Sequence, residues 1–217
     1  MIKRASIFYA LSASVAAVFL SGCTGMYATR SFGEGLSRPF RGFKEVHDVL
    51  TAQEHTALGR TYEDGQKPEA AKREYRLALE KDPHYVPALV NYGIVSYQEG
   101  DYEKAADLYR RALKEKPHDG RILNNLAWVY ISLSGEKPTS GLEENLIAIA
   151  SELWTLQHAK ETQSPVYWDT LGMVYHSLKE AKTSLNCFEL ALMDAPQADT
   201  AFRREVEVHQ ALVKRGS

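Results

Sequence analysis

Two consecutive stretches of the sequence repeat one another: AQEHTALGRTYEDGQKPEAAKREYRLALEKDPHY (residues 52–85) and VPALVNYGIVSYQEGDYEKAADLYRRALKEKPHD (residues 86–119). Their shared positions are offset by 34 residues and pair Gly59 with Gly93, Ala71 with Ala105, Tyr75 with Tyr109, Ala78 with Ala112 and Pro83 with Pro117. A period of this length is typical of stacked helical arrays, which mostly serve as binding surfaces.

These residues and their spacing resemble the tetratricopeptide repeat family, in which each unit consists of two antiparallel helices, A and B. The resemblance extends over residues 52–198. It implies that a small residue at the eighth position, such as Gly93, lets the two helices approach closely. An aromatic residue at the twenty-fourth position, such as Tyr109, fills the gap between them, and a proline at the thirty-second ends helix B.

The resemblance implies an all-α fold: a short, right-handed α-solenoid of four helix pairs and a C-terminal capping helix, within a domain at 44–217. The repeats are 52–85, 86–119, 120–164 and 165–198, and the capping helix covers 199–214. The third repeat carries 11 extra residues. Because Ala150 and Trp154 keep the spacing of the twentieth and twenty-fourth positions, we expect the extra residues in a loop at 132–142, between helices A and B.

The N-terminus has the features of a bacterial lipoprotein signal peptide at residues 1–22. Lys3 and Arg4 precede an apolar run, and Leu20-Ser21-Gly22-Cys23 resembles a lipobox. The resemblance implies that Cys23 is lipidated and becomes the first residue, and that Thr24 favours the outer membrane, facing the periplasm. The alternative is an ordinary secretory signal with an unrelated cysteine. Residues 23–43 are predicted to be the lipidated terminus and a linker, and residues 44–50 to begin a helix.

Composition and motifs exclude several classes of function. The formal charge of −2 is not that of a nucleic-acid-binding protein. Cys23 is used by the anchor, so Cys187 has no intramolecular partner and is expected to be a buried packing residue. The sequence contains no recognisable metal, phosphate-binding or nucleophile motif. We therefore expect no enzyme activity, no cofactor, no metal and no small-molecule substrate.

The resemblance implies that the A helices line a concave groove that binds a protein or peptide. We call its residues the predicted groove, and they are Arg60, Asn91, Ile94, Tyr97, Arg121, Asn124, Asn125, Trp128, Asp169, Met173 and His176. Ile94, Trp128 and Met173 share the ninth position and should form an apolar stripe. The alternative is that the linker or the 132–142 loop covers this stripe.

Three functions remain open at the level of the sequence. The first is a lipid-anchored, non-catalytic adaptor that assists assembly of a pilus, secretion or other outer-membrane complex. It rests on a resemblance to the pilotins and related repeat lipoproteins of type IV and Tad pilus systems. The second is a scaffold for peptidoglycan hydrolases or proteases. The third is an enzyme whose site has no recognisable motif, which would need a pocket of converging polar groups with perturbed pKa values.

Overall fold

The computed structural model describes residues 48–136, 141–159 and 164–216. In these residues the chain forms nine α-helices and no strand, which confirms the all-α prediction. They belong to one compact unit that extends from His47 to Ser217. The predicted signal peptide, Cys23 and the predicted linker lie outside the described residues. The helices are α1 (Ala52–Asp64), α2 (Pro68–Lys81), α3 (Val86–Gln98), α4 (Tyr102–Glu115), α5 (Gly120–Glu136), α6 (Leu142–His158), α7 (Pro165–Ser177), α8 (Ala181–Asp194) and α9 (Thr200–Gly216).

Local sequence signals determine where the first helices begin. Thr51 caps α1 through a reciprocal capping box with Glu54, in which each side chain bonds the other residue's backbone N–H. Asp101 accepts a hydrogen bond from the backbone of Lys104 at 3.2 Å and caps α4, as expected. The predicted helix at 44–50 is wrong for residues 48–50, which are irregular. The favourable cap at Thr51 explains why the helix starts only after it.

Three helix pairs use the same close contact between helix A and helix B. A β-carbon added to Gly59 would lie 2.5 Å from the ring of Tyr75, and one added to Gly93 would lie 2.7 Å from the ring of Tyr109. In the fourth pair, Gly172 faces the ring of Phe188 in the same way, at 2.4 Å, and Phe188 is fully buried. Glycine is therefore needed here because the facing ring occupies the space of a side chain.

The third pair is longer throughout, and its extra residues are not confined to a loop. Both α5 and α6 contain 17 residues, whereas α1 has 13 and α2 has 14. Residues 132–136 lie in α5, and Leu142 begins α6. The predicted loop at 132–142 is therefore wrong at both of its ends, because the apolar periodicity of both helices continues into the insertion.

Trp154 does not fill the gap between helices A and B of the third pair, so this prediction is wrong. Its side chain is 41% exposed, whereas its neighbour Leu153 is fully buried. One residue turns an α-helix by about 100°. The side chain that follows the buried Leu153 thus points outwards, although Leu153 and Gln157 are buried like their equivalents in the other repeats. Ala150 is buried, as its position predicts.

The C-terminal helix closes the apolar end of the array. Phe202, Val206 and Val213 of α9 are buried, as their shared face predicts. Cys187 of α8 is also buried, and this desolvation raises the pKa of its thiol to about 12. The prediction of Cys187 as a packing residue is confirmed.

Candidate partner-binding groove

The predicted groove residues lie on the four A helices, and their exposure differs. The side chains of Arg60 and Arg121 are exposed, whereas Asp169 is only 4% exposed. The remaining members are half-buried, and they are Asn91, Ile94, Tyr97, Asn124, Asn125, Trp128, Met173 and His176. The apolar stripe of Ile94, Trp128 and Met173 is thus partly accessible on three successive A helices.

Trp128 anchors a hydrogen-bonded chain between α5 and α7. Its indole Nε1 donates to Oγ1 of Thr170 at 3.2 Å, and Thr170 Oγ1 donates to Oδ1 of Asn124 at 2.6 Å. Because an indole has a single donor, the Trp128 N–H is already used, and only the exposed part of its ring is available to a partner. The contacts also fix the position of α7 against α5.

Polar contacts likewise connect the second and third repeats. The hydroxyl of Tyr97 lies 3.3 Å from Oγ of Ser132, and the Tyr97 ring packs 5.4 Å from the ring of Tyr102. Asn125 forms a side-chain hydrogen bond with Tyr109, whose pKa is raised mainly by burial. Some of the hydrogen-bonding side chains that the sequence analysis assigned to partner binding therefore bond within the protein.

The C-terminal end of the predicted groove is covered by α9. His209 Nδ1 lies 2.9 Å from Oδ1 of Asp169. The His209 ring is also centred 5.8 Å from the ring of Trp128 and 6.1 Å from that of Phe188. Asp169 is consequently buried and paired instead of facing solvent. The covering element is α9, which the sequence analysis did not consider for this role.

The ionisation of His209 reflects two opposing effects. Burial disfavours the imidazolium, but the hydrogen bond to Asp169 and the nearby carboxylates of Asp169 and Glu205 outweigh it, so the pKa of His209 is raised. The residue therefore holds α9 against α7 most strongly in its protonated form. The repeat pattern does not predict this pair, because position 169 lies in the fourth repeat and position 209 lies in the capping helix.

A second buried histidine lies at the N-terminal end, outside the groove. His55 is 2% exposed, its Nδ1 lies 2.9 Å from Oε2 of Glu74, and its Nε2 lies 2.6 Å from Oδ2 of Asp48. Burial opposes the charged form, but the hydrogen bonds to Glu74 and Asp48 raise the pKa of His55. Both ring nitrogens face carboxylates, which suits the doubly protonated ring.

In the described residues, no group of three or more histidine, cysteine or acidic side chains is placed to hold a metal ion. Two clefts of about 230 and about 200 Å³ lie between α2, α3 and α4, away from the predicted groove. In the first, Lys72 is already paired with Glu69 and Glu99, which raise its pKa. Among the helices of the described residues, none is both long and apolar enough to span a bilayer.

The helix pairs and their Gly–aromatic contacts are those of a tetratricopeptide repeat solenoid. Residues 56–120 match the tetratricopeptide repeat family. Residues 56–120 therefore form tetratricopeptide repeats, as the sequence indicated, and the chain resembles type IV pilus assembly factors.

Two curated relatives and one solved structure illustrate the similarity. The chain is 33% identical over 122 residues to the type IV pilus assembly protein PilF of Pseudomonas aeruginosa, covering 54% of this chain and 46% of that protein. It is 37% identical over 99 residues to the photosystem I assembly protein Ycf3 of Rippkaea orientalis, covering 42% of this chain and 56% of that protein. The aligned part thus spans about half the length of these relatives.

The crystal structure of PilW, a widely conserved type IV pilus biogenesis factor, superimposes with a TM-score of 0.55 at 16% identity. The match covers 76% of this chain and 78% of that chain. At this level of identity, the similarity shows a common fold.

Proposed function

We propose that this protein is a non-catalytic, protein-binding adaptor that is anchored in the bacterial envelope by lipid on Cys23 and assists assembly of a type IV pilus or a related outer-membrane complex. The observation that carries the proposal is the 33% identity to a type IV pilus assembly protein over 122 residues. The signal peptide and lipobox support the envelope location, and Thr24 favours the outer membrane.

The partly accessible apolar stripe supports binding through the predicted groove. Ile94, Trp128 and Met173 are half-buried, so a partner that covered them would remove further apolar surface from water. The Trp128 ring is held in place by its own hydrogen bond, so little side-chain entropy is lost on binding. Arg60 of α1 and Arg121 of α5 are exposed, and their positive charges favour a partner with carboxylates beside its apolar residues.

Because α9 covers the C-terminal end of the predicted groove, less of the groove is accessible to a partner. Asp169 is buried beneath His209, and Trp128 packs against the same histidine. A partner would therefore contact mainly α1, α3 and α5, and it would meet α9 at the edge of its binding site. This favours a short peptide or a single helix over a ligand that runs the full length of the array.

The proposal is tested by affinity purification of the full chain from the envelope of its native host after mild crosslinking. The groove variant reverses two exposed charges, Arg60→Glu and Arg121→Glu. The matched control, Arg76→Glu with Lys114→Glu, reverses two exposed charges on the B helices α2 and α4. Wild type and control should recover a pilus assembly component, and the groove variant should lose it. Recovery of no such component with the wild type, or undiminished recovery with the groove variant, would contradict the proposal.

A further inference from the structure

The outward face of α6 is unlike that of the other B helices. At positions equivalent by the repeat, Tyr75, Tyr109 and Phe188 are 0%, 2% and 0% exposed, whereas Trp154 is 41% exposed. The other three B helices thus serve as a comparison for the exposure of Trp154. A tryptophan at the surface is costly in water and is the residue type most often found at the centre of protein interfaces.

Trp154 is part of a continuous row on the outside of α6. Ile147, Ser151, Trp154 and His158 are all exposed and follow one another at intervals of three or four residues, which places them on one face of the helix. Ile147 is 54% exposed. We call this row the α6 face.

The aromatic end of the α6 face has a fixed geometry. The ring of Trp154 packs edge-on against Trp168 of α7, with centroids 5.4 Å apart and planes at 86°. The His158 ring lies 4.7 Å from the Trp154 ring, and its Nδ1 is 2.8 Å from the Trp154 carbonyl oxygen. Trp168 is in turn held by a 2.9 Å hydrogen bond from Nε1 to Asp194. These contacts therefore hold the Trp154 indole in one orientation, with part of its surface exposed to solvent.

Among lysine, arginine and acidic residues, α6 itself carries one sign of charge, and Glu152 also pairs with His118 at 3.3 Å. The helix carries Glu143, Glu144 and Glu152 and contains neither lysine nor arginine. By contrast, α2 and α4 each carry four lysine or arginine residues. Asp194, which binds Trp168, adds a further carboxylate at this end. The surface is thus apolar at its centre and acidic at its edge.

We infer that the α6 face docks a partner helix that is amphipathic and basic, with lysine or arginine beside its apolar stripe. The partner's apolar side chains would pack between Ile147 and Trp154, because rows spaced at helical intervals complement those of another helix. Its cations would meet the glutamates of α6. A membrane surface is a poorer match, since acidic side chains are repelled by anionic lipids. This face lies on a B helix and is separate from the predicted groove.

The test uses the full chain and a fluorescein-labelled, 18-residue helical peptide of leucine and lysine, with binding followed by fluorescence anisotropy. A second peptide with glutamate in place of lysine is the charge control. We expect the lysine peptide to bind more tightly. Trp154→Ala should weaken its binding about tenfold or more, as for a hot-spot tryptophan. Leu212→Ala, which removes a similarly exposed apolar side chain from α9, should leave binding unchanged.

Glu144→Lys reverses a charge at the acidic edge of the α6 face without removing apolar surface. This variant should also bind the lysine peptide more weakly. Ile147→Ala gives an independent readout should Trp154→Ala fail to fold, which circular dichroism detects. Equal binding of both peptides, or unchanged binding by Trp154→Ala and Ile147→Ala, would overturn the inference. It would also be overturned if Trp154→Ala abolished binding to phosphatidylcholine vesicles but left the peptide bound. If the double variant Arg38→Glu with Arg41→Glu bound the lysine peptide more tightly than the wild type does, the chain's own linker would instead be the occupant of the α6 face.

Discussion

His209 in α9 and Asp169 in α7 form a partly buried ion pair, with Nδ1 of the histidine 2.9 Å from Oδ1 of the aspartate. The pair joins the capping helix to a position that the repeat pattern assigns to the concave surface. It also brings the histidine ring within 5.8 Å of the Trp128 ring. The capping helix therefore contributes to the groove as well as covering the end of the core.

The raised pKa of His209 predicts a stability that depends on pH. The folded-state pKa lies above the ordinary value of 6.5, so the stabilisation is complete below about pH 6.5 and is lost as pH rises through the raised pKa. The unfolding free energy of the wild type, measured with urea, should therefore fall as pH rises above about 6.5.

His209→Gln should flatten this pH dependence, because glutamine carries no titrating charge. His55 has a raised pKa for a similar reason and contributes a slope of the same sign. The comparison variant is therefore His55→Gln, and the double variant should show the smallest slope. An unchanged slope in the double variant would contradict the assignment of the titration to these two histidines.

A methyl group at Gly93 should destabilise the fold. The β-carbon of Gly93→Ala would lie 2.7 Å from Cε1 of the buried Tyr109 ring, so the ring or the helix must shift. Overpacking of this kind costs about 1–3 kcal/mol of unfolding free energy. Gly135→Ala is the matched control, because a β-carbon there meets no atom within 4 Å.

Alanine is the better helix former, so Gly135→Ala should be neutral or stabilising by up to about 1 kcal/mol. Chemical denaturation of both variants measures the difference. Equal stabilities of Gly93→Ala and Gly135→Ala would show that the Gly–aromatic contact does not limit helix approach.

The Gln157 side chain should be needed for the junction between α6 and α7. Gln157 is 2% exposed, its Nε2 donates to the Ser164 carbonyl at 2.8 Å, and its Oε1 accepts from the Ser164 N–H at 2.7 Å. Gln157→Leu would remove both bonds and should cost about 1–3 kcal/mol in unfolding free energy. Gln98→Leu, at an exposed position of α3, should change stability by no more than about 0.5 kcal/mol. A similar effect of the two substitutions would argue against a role of the Gln157 hydrogen bonds.

Much of the fold follows from the sequence because the 34-residue period repeats the same close contacts. Gly93 and Tyr109 were expected to face each other, and they do so. The orientation of Trp154 was not predictable from spacing: the residue keeps the register of Tyr75, Tyr109 and Phe188, whose rings are buried, yet its own side chain is 41% exposed. The repeat pattern also does not predict that the Gln157 amide bonds the backbone of Ser164 at the start of the next helix.

The candidate groove was less predictable than the helices that carry it. The family pattern identifies the groove positions on the A helices, but it does not predict which other elements of the chain pack over them. The pairing of Asp169 with His209 depends on where α9 packs, and the two residues are 40 positions apart in sequence. Tyr97 and Asn124 were assigned to a partner from their type, whereas each has a hydrogen-bond partner inside the fold.

Replacement of Cys23 should separate the anchor from the binding function. Cys23→Ser removes the thiol that would carry the lipid, so the protein should move from the membrane fraction to the soluble fraction of the envelope. Several acyl chains are needed for a lasting anchor, and the serine variant has none. Immunoblotting of the separated fractions measures this. Continued membrane association of Cys23→Ser would contradict lipid anchoring, and Cys187→Ser serves as the control that keeps Cys23.

Site-specific photocrosslinking in the native host tests the central claim most directly. A photoreactive phenylalanine analogue is placed at Asn91 in the predicted groove or, as a control, at Arg76 on the B helix α2. We predict that Asn91 forms an adduct with a pilus assembly component, identified by mass spectrometry, and that Arg76 does not. Adducts from Asn91 that lack any such component, or equal adducts from both positions, would contradict a groove-binding adaptor of pilus assembly.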